Sequence, residues 1–350
     1  MRLGERRAGW GTLVLWAAPW LLTLALGLGL HLAGDGHEAD DDVGDDGRVY
    51  TPIMPPHDLV AQGVEDAIGP RSQLPPATRR AFEYTSHFSP IPVPGPDDWL
   101  SQHPERGQTV LDYVQSRPNR PEPPRQIIYV LPVGSLPAER GPTVDELAEY
   151  ARRFFGQEVV VMPTRDLRQL DVPSRGRGPD RQLNATAVLD VLQQELPRDA
   201  YCLIAVTLED LYPGDDFNYV FGMARLHARV GVFSFARYHP SFFGESFGVD
   251  RRVVVRRALK VMSHEIGHMF GLEHCIHLHC NMNGSNHLSE VDRAPVHLCP
   301  VCLRKLHVTT GIDPAVRYGE LAEYYEGVGL DAEADWAQQR RAYLRRGDNE

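Results

Sequence analysis

The fold and chemistry of this chain are decided by one stretch, HEIGHMFGLEH, which begins at His264 and ends at His274. Residues four apart lie one above the other on a helix, so His264 and His268 can present their imidazoles to one metal ion. Glu265 follows directly and points at the open face of that ion. The spacing therefore predicts a helix that carries two zinc ligands with a carboxylate beside them.

Gly271 completes this pattern. It supplies a positive-φ turn that ends the helix and brings His274 back as a third nitrogen ligand, leaving a fourth position for water. The helix itself is indicated by apolar residues at intervals of three and four, which can face a core. These residues are Val255, Leu259, Met262, Ile266 and Phe270. The alternative for the three histidines is helix packing or surface exposure, but no packing rule places Gly between His at these intervals.

Four of the five cysteines come next, at Cys275, Cys280, Cys299 and Cys302. Two closely spaced thiol pairs separated by a loop are typical of a closed, tetrahedral structural zinc site. Three alternatives stay open: a nearby histidine replaces one sulfur, the thiols form two disulfides, or they are unpaired core residues. The prediction is two zinc ions per chain, one catalytic and one structural. The remaining cysteine, Cys202, is predicted to be a buried strand residue.

Composition excludes some classes of function. The chain has 350 residues with 42% hydrophobic and 24% charged, an ordinary globular composition for one large domain or two small ones. Its formal net charge of -11 lacks the basic surplus that phosphate neutralisation demands. Nucleic acid is therefore not an expected partner.

Residues 1–34 contain a membrane-length apolar segment, in which His31 is the one ionisable side chain between Arg7 and Asp35. Basic residues precede this segment and acidic residues follow it, so the positive-inside rule leaves the N-terminus in the cytoplasm and exports the rest. We expect a signal anchor or a signal peptide. The protein would then be membrane-anchored with an exported catalytic domain, or secreted.

The remaining chain divides into three regions. Residues 35–125 open with an acidic run and are dense in Pro, which prevents long helices and central strands. They are predicted to be a linker and an extended segment that can wrap a folded domain, with one short helix near residues 59–68. Residues 126–310 are predicted to form the catalytic domain, and residues 311–350 two amphipathic C-terminal helices whose basic cluster from Arg340 to Arg346 is solvated.

Strands and helices alternate in residues 126–310, which predicts an α/β fold with a largely parallel sheet. Strands are expected at residues 127–133, 159–162 and 202–207, and two closely joined antiparallel strands at 217–224 and 229–238. Helices are expected at residues 143–155 and 184–196. Thr143 and Glu146 form a capping box at the start of the first of these helices.

These motifs together resemble the archaemetzincins, metzincin-clan zinc metallopeptidases with an additional cysteine-bound zinc. The matching segments are residues 208–213, 231–238, 264–275, 280–282, 284–288 and 298–306. The Pro-rich segment that includes Asp98 to Leu100 resembles the N-terminal extension of longer members. The apolar N-terminus departs from the family pattern, since such relatives are mostly intracellular, and a cytoplasmic location is the family-based alternative.

The resemblance implies a metzincin-like zincin domain, with a mixed twisted sheet and an active-site helix. The three histidines would hold the catalytic zinc, and the four cysteines of the 275–302 segment would hold the structural zinc. Glu265 would take the proton from zinc-bound water as it attacks a peptide carbonyl. Met282 matches the Met-turn that floors the zinc site. A peptide or protein substrate would pair with an edge strand near residues 217–224.

Two other functions are kept beside the hydrolase. The first is a non-catalytic, zinc-stabilised binding or assembly protein on the same fold, against which the intact Glu265 argues. The second is a gluzincin-type metallopeptidase, in which a downstream carboxylate such as Glu290 replaces His274 as third ligand. Glu290 is better explained as an exposed helix residue.

Overall fold

The structure is a computed structural model that describes residues 57–215, 218–245 and 248–346. The predicted signal segment, residues 1–34, and the acidic run that follows it lie outside these ranges. Across the described ranges, no helix has both the length and the apolar character needed to cross a membrane. The membrane-anchored, exported location predicted above is therefore corrected: it has no support in the part of the chain that the structure describes.

The strands of the described residues form two sheets. They are β1 Ile127–Val133, β2 Val159–Val161, β3 Ser174–Arg175, β4 Gln182–Asn184, β5 Ala200–Thr207, β6 Asp210–Tyr212, β7 Gly222–Arg225 and β8 Val230–Ser234. The larger sheet has the order β2-β1-β5-β8-β7, with β7 antiparallel to β8 and the other pairs parallel. Every residue of β5 is buried, as expected for a central strand in a sheet covered on both faces. The predicted mixed α/β fold is confirmed.

A second, three-stranded sheet in the order β3-β4-β6 was not predicted, because its strands are only two or three residues long. The predicted strand at residues 229–238 is also shorter than expected. It ends with β8 at Ser234, and a single 3-10 turn follows at Ala236–Tyr238.

The described residues also contain twelve α-helices. They are α1 His57–Ile68, α2 Pro76–Ala81, α3 Trp99–Gln102, α4 Val110–Gln115, α5 Val144–Phe155, α6 Leu167–Leu170, α7 Ala185–Gln194, α8 Arg251–Met269, α9 Leu288–Arg293, α10 Pro300–Thr310, α11 Pro314–Gly327 and α12 Asp331–Arg345. The predicted capping box at α5 is present. The Thr143 hydroxyl accepts the Glu146 backbone N–H at 3.1 Å, and the Glu146 carboxylate accepts the Thr143 backbone N–H at 2.7 Å.

Helix α8 carries the HEIGH motif and packs against β5, β7 and β8. All five apolar positions predicted to face the core are fully buried: Val255, Leu259, Met262, Ile266 and Phe270. Because this stripe fixes the rotation of the helix, the polar residues between its members are carried to a defined place beside β7. The sheet and the apolar stripe thus position the chemistry of the motif.

The N-terminal extension, residues 57–125, packs against the rest of the protein. Its first helix is the one predicted near residues 59–68, and α2 to α4 are only four to six residues long, consistent with the density of Pro. Helix α4 packs on α10, and Tyr113 of α4 donates its hydroxyl to the Phe270 carbonyl at 2.7 Å. The extension therefore reaches the end of α8.

The C-terminal helices α11 and α12 form a hairpin that contacts both α5 and α2. Helix α11 is capped by Asp313, whose carboxylate accepts two backbone N–H groups of the first turn. The predicted solvation of the basic cluster is wrong at Arg340. This side chain is fully buried, donates to the Ala81 carbonyl at 3.2 Å and lies over the Phe88 ring. Arg340 therefore links α12 to the N-terminal extension by a hydrogen bond to the end of α2.

Candidate metal centres

Helix α8 ends directly after the second histidine of the motif, and the chain reverses at Gly271. Gly271 has φ of +85°, as predicted, and its N–H donates to the His268 carbonyl at 2.7 Å. The Leu272 N–H reaches back to the Gly267 carbonyl at 3.1 Å, which closes the helix end. His274 is thereby placed beside the two histidines of the helix.

The three imidazoles form one buried cluster. One ring nitrogen from each of His264, His268 and His274 lies within 4.8 Å of the other two. Their residues are 2%, 0% and 5% exposed. The structure therefore brings together the three histidines that the spacing selects.

The hydrogen bonds of the two helix histidines define which nitrogens carry protons. Nδ1 of His264 lies 2.8 Å from the Asn281 carbonyl, and Nδ1 of His268 lies 2.7 Å from the Leu272 carbonyl. A carbonyl oxygen can only accept, so both Nδ1 atoms donate and both Nε2 atoms carry lone pairs. The two Nε2 atoms are 2.9 Å apart. Two lone pairs at this distance repel each other unless a cation lies between them, so the donor set fits a metal ion.

Protonation does not supply that cation at neutral pH. Burial, with the neighbouring His268 and His274, holds the pKa of His264 well below its usual value. Burial and His274 lower the pKa of His268 to about 3. Neutral imidazole is the form that binds metal.

His274 has a different partner from the other two histidines. Its Nδ1 lies 2.7 Å from Oε1 of Glu105, and the Trp99 indole N–H donates to the same oxygen at 2.8 Å. Burial opposes ionisation of Glu105, but its interactions with His274, Trp99 and His103 together outweigh burial and keep the pKa of the carboxyl below its usual value. The ionised carboxylate accepts from Nδ1, so Nε2 of His274 also carries a lone pair.

Glu265 lies beside this cluster and is fully buried. Within the described residues, neither of its carboxylate oxygens has a hydrogen-bond partner. Burial raises its pKa well above the usual value. Strand β7 passes so close that a Cβ atom added at Gly222 would lie 2.6 Å from Oε1 of Glu265. A buried carboxyl without a partner is costly, and such groups cluster at functional sites.

The four thiols of the 275–302 segment form the second cluster. The Sγ atoms of Cys275, Cys280, Cys299 and Cys302 all lie within 4.8 Å of one another, and none of the four is in a disulfide. Sγ of Cys275 and Sγ of Cys299 are 3.6 Å apart. Four thiolates around a zinc ion, each about 2.3 Å from it, would be about 3.8 Å apart, which this spacing fits. Backbone N–H groups of Met282 and Cys299 point at Sγ of Cys280.

One turn, residues 280–282, connects the two clusters. Cys280 belongs to the thiol cluster, while the next carbonyl, that of Asn281, accepts from His264. Met282 packs against α8 between the two helix histidines, where a Cβ atom added at Gly267 would lie 2.6 Å from its Sδ atom. The residue predicted as the Met-turn therefore contacts α8 at Gly267, next to His268 in the sequence.

Glu290 does not join the histidine cluster. Its carboxylate accepts the Trp99 backbone N–H at 3.0 Å and the Asn286 backbone N–H at 2.6 Å. It lies with Asp98 and His287 in a separate polar group that holds the extension against α9. Its side chain is 12% exposed, so the expectation of an exposed helix residue was wrong.

Two residues of the site, Glu105 and Gly222, were not predicted from the sequence. Glu105 lies in a Pro-rich region without a motif, and Gly222 lies in an ordinary strand. A cavity of about 410 Å³ also opens beside His274, lined by Glu105 and Gln108 of the extension and by Leu226 and His227 of the β7–β8 turn. Only the fold brings these regions together.

Comparison with known proteins gives consistent similarities. The model of peptidase family M54 matches residues 184–308. Archaemetzincin-2 of Macaca fascicularis is 34% identical over 282 residues, which cover 70% of this chain and 77% of that protein. Archaemetzincin-2 of Homo sapiens is 34% identical over 287 residues, or 72% of this chain and 78% of that protein. The crystal structure of archaemetzincin from Methanopyrus kandleri is 30% identical, covers 54% of this chain and 97% of that chain, and has a TM-score of 0.42.

Proposed function

Because the chain belongs to the archaemetzincin family, peptidase family M54, and is a zinc metallopeptidase, we propose that Glu265 is its general base. His264, His268 and His274 would hold the catalytic zinc. The observation that carries this proposal is the convergence of three imidazoles at the end of α8, together with the buried carboxyl of Glu265, which follows His264 and has no hydrogen-bond partner among the described residues. The reaction is the hydrolysis of a peptide bond.

Zinc, when bound, supplies a Lewis acid that polarises the peptide carbonyl and lowers the pKa of water. The protein's own residues do the rest. Glu265 takes a proton from the attacking water and returns it to the leaving nitrogen, and a pKa raised by burial makes its carboxyl a better proton acceptor. The carbonyls of Asn281 and Leu272 keep the two helix imidazoles in the tautomer whose Nε2 lone pair can bind a metal ion.

The four thiols would hold a second, structural zinc. All four cysteines are buried, and their spacing suits tetrahedral thiolate coordination without a position for water. This gives two zinc ions per chain, with different tasks. Met282 would support the catalytic site mechanically, because its side chain fills the space under α8 beside Gly267.

The substrate would lie as an extended peptide along β7. This strand is at the edge of the five-stranded sheet and runs directly past Glu265. Backbone hydrogen bonds to an edge strand hold a peptide without selecting its sequence. The turn after β7 forms part of the wall of the cavity beside His274, and this cavity offers space for one substrate side chain.

The two alternative functions are less well supported. A binding protein would have no need for a buried carboxyl next to three metal-binding nitrogens. A gluzincin would need Glu290 as a ligand, but two backbone N–H groups already occupy that carboxylate. His274 is the third residue of the histidine cluster instead.

The test is the substitution Glu265→Gln, with zinc content and peptide hydrolysis measured on the same preparation. We expect both zinc ions to remain and the hydrolysis rate to fall by about 100-fold or more, the scale of a general base. Glu139→Gln is the matched control, because this carboxylate is exposed and lies in a different part of the domain. Equal turnover by Glu265→Gln and the control would rule out the proposed role.

A further inference from the structure

Glu105 is the polar residue that links the N-terminal extension to the histidine cluster. Its Oε1 atom accepts from Nδ1 of His274 at 2.7 Å, although 169 positions separate the two residues in the sequence. The same oxygen accepts from the Trp99 indole N–H at 2.8 Å. Oε1 is therefore fixed by two donors, one of which belongs to the proposed zinc ligand.

The three histidines differ in how their outer nitrogens are held. Nδ1 of His264 and Nδ1 of His268 donate to backbone carbonyls of residues that follow α8 closely in sequence. Those carbonyls are placed by the local chain. His274 lies after the helix end, where no helical hydrogen bond orients its ring, and its partner is a side chain of the extension. Its orientation consequently depends on a distant region.

The extension is docked firmly enough to hold that partner. The Trp99 ring packs edge-on against the His274 ring, with centroids 4.9 Å apart at 80°. Gln108 binds the backbone just before His274. Its side-chain amide donates to the Gly271 carbonyl at 3.2 Å and accepts the Glu273 N–H at 3.3 Å. Glu105 lies between these two contacts in sequence.

We propose that Glu105 is a positioning residue for the catalytic zinc, so that the N-terminal extension completes the metal site. This rests on the proposed function. A carboxylate on the outer nitrogen of a metal-binding histidine fixes the tautomer and the ring orientation and makes the ligand more basic. Glu105 has this relation to His274, and it would raise the zinc affinity without touching the ion.

The experiment compares the zinc affinity of the full chain with that of Glu105→Gln. Glutamine has the same shape but no charge, and Glu122→Gln is the matched control because Glu122 is an exposed carboxylate of the same extension. Zinc is withdrawn with a series of chelators of increasing strength, and a thiol-specific reagent identifies the ion released from the cysteine cluster. We expect Glu105→Gln to bind the histidine-site zinc 10- to 100-fold more weakly, with the thiol-site zinc unchanged.

A second variant covers the case in which Glu105→Gln folds poorly. Trp99→Phe removes the indole donor to Glu105 but keeps an aromatic ring against His274, and we expect a several-fold loss of zinc affinity at the same site. Histidine-site affinities equal to that of Glu122→Gln in either well-folded variant would overturn the positioning role, while two zinc ions and hydrolysis by the wild type would leave the proposed function intact. A wild type with zinc at the thiols alone would overturn both.

Discussion

The histidine cluster ends at His274 and the thiol cluster begins at the next residue, Cys275, but the two are assembled in different ways. All four thiols come from the short segment 275–302, and two backbone N–H groups of that segment point at the sulfur atom of Cys280. The histidine cluster takes two residues from α8 and one from the following loop, with a hydrogen-bond partner from the extension.

The difference follows from what each centre must leave open. Four protein ligands complete a tetrahedral site, so the thiol cluster can be self-contained and stabilise the fold. Three ligands leave a position for chemistry, and the protein must hold them in place from other directions. In this chain those supports are the Asn281 carbonyl, Met282 under the helix, and Glu105 from the extension. The open centre is therefore the one that depends on remote residues.

The largest effect is expected from breaking the thiol cluster with Cys299→Ser. Loss of a ligand from a buried structural zinc site should lower Tm by roughly 10 °C or more, because metal binding there is part of the folding free energy. Cys299 is the N-cap residue of α10, a position that serine suits, so the loss would report the metal and not the helix. Zinc per chain should fall from two towards one. An unchanged zinc content would mean that the thiols are merely core residues.

The second prediction removes a ligand from the histidine cluster with His274→Ala. Zinc affinity should fall by more than the 10- to 100-fold typical of an outer partner, since a direct ligand is lost. Tm should change less than in Cys299→Ser, because the thiol cluster is intact. Glu290→Ala is the comparison. If it removed the zinc while His274→Ala kept it, the third ligand would have been misassigned.

The third prediction tests the approach of β7 to Glu265 with Gly222→Ala. The new Cβ atom would meet Oε1 of Glu265 at 2.6 Å and displace the carboxyl. We expect hydrolysis to fall roughly 10- to 100-fold, as small displacements of reacting groups can cost. Zinc content should not change. Gly327→Ala is the control, because no atom lies within 4 Å of a Cβ at that position, and equal activity of the two variants would contradict the close approach.

The smallest effect is expected from Asp98→Asn, which loosens the extension without touching either cluster. Burial raises the pKa of Asp98, but the Gly95 N–H and Arg293 outweigh it and bring the pKa below 3.8. A lowered pKa gives stabilisation that is complete above pH 3.8 and disappears as the pH falls through the folded-state value. We expect a loss of about 1 kcal/mol or less in the free energy of unfolding at pH 7.

The same prediction has a second part in its pH dependence. The stability difference between the wild type and Asp98→Asn, followed by denaturant unfolding, should shrink in acid, where the wild-type carboxyl is also neutral. A difference that stays constant into acid would show that the hydrogen-bond geometry matters and the charge does not.

Much of the fold could be predicted because it depends on local regularities. The capping box at Thr143, the apolar stripe of α8 and the strand at Ile127–Val133 are all where the sequence indicates. Each reflects a backbone period or a hydrogen bond between close neighbours. Strand lengths were less accurate, and the sheet of β3, β4 and β6 was missed, because strands this short have too few residues to show a period.

What the sequence by itself determined is the set of groups that are near one another along the chain. Helical spacing pairs His264 with His268, the positive φ of Gly271 brings back His274, and the cysteine spacing gathers four thiols. These relations depend on a few backbone angles, so they can be predicted from the sequence alone. No packing information is needed to find them.

Only the tertiary structure decided which distant residues complete the site. Glu105 is placed on His274, Gly222 beside Glu265, and Glu290 under the Trp99 backbone by long-range packing. Arg340, although it lies in a basic run, is buried because α12 packs against the extension. No spacing rule encodes such contacts, since their geometry depends on how whole elements pack across the fold and not on the angles of the chain between them.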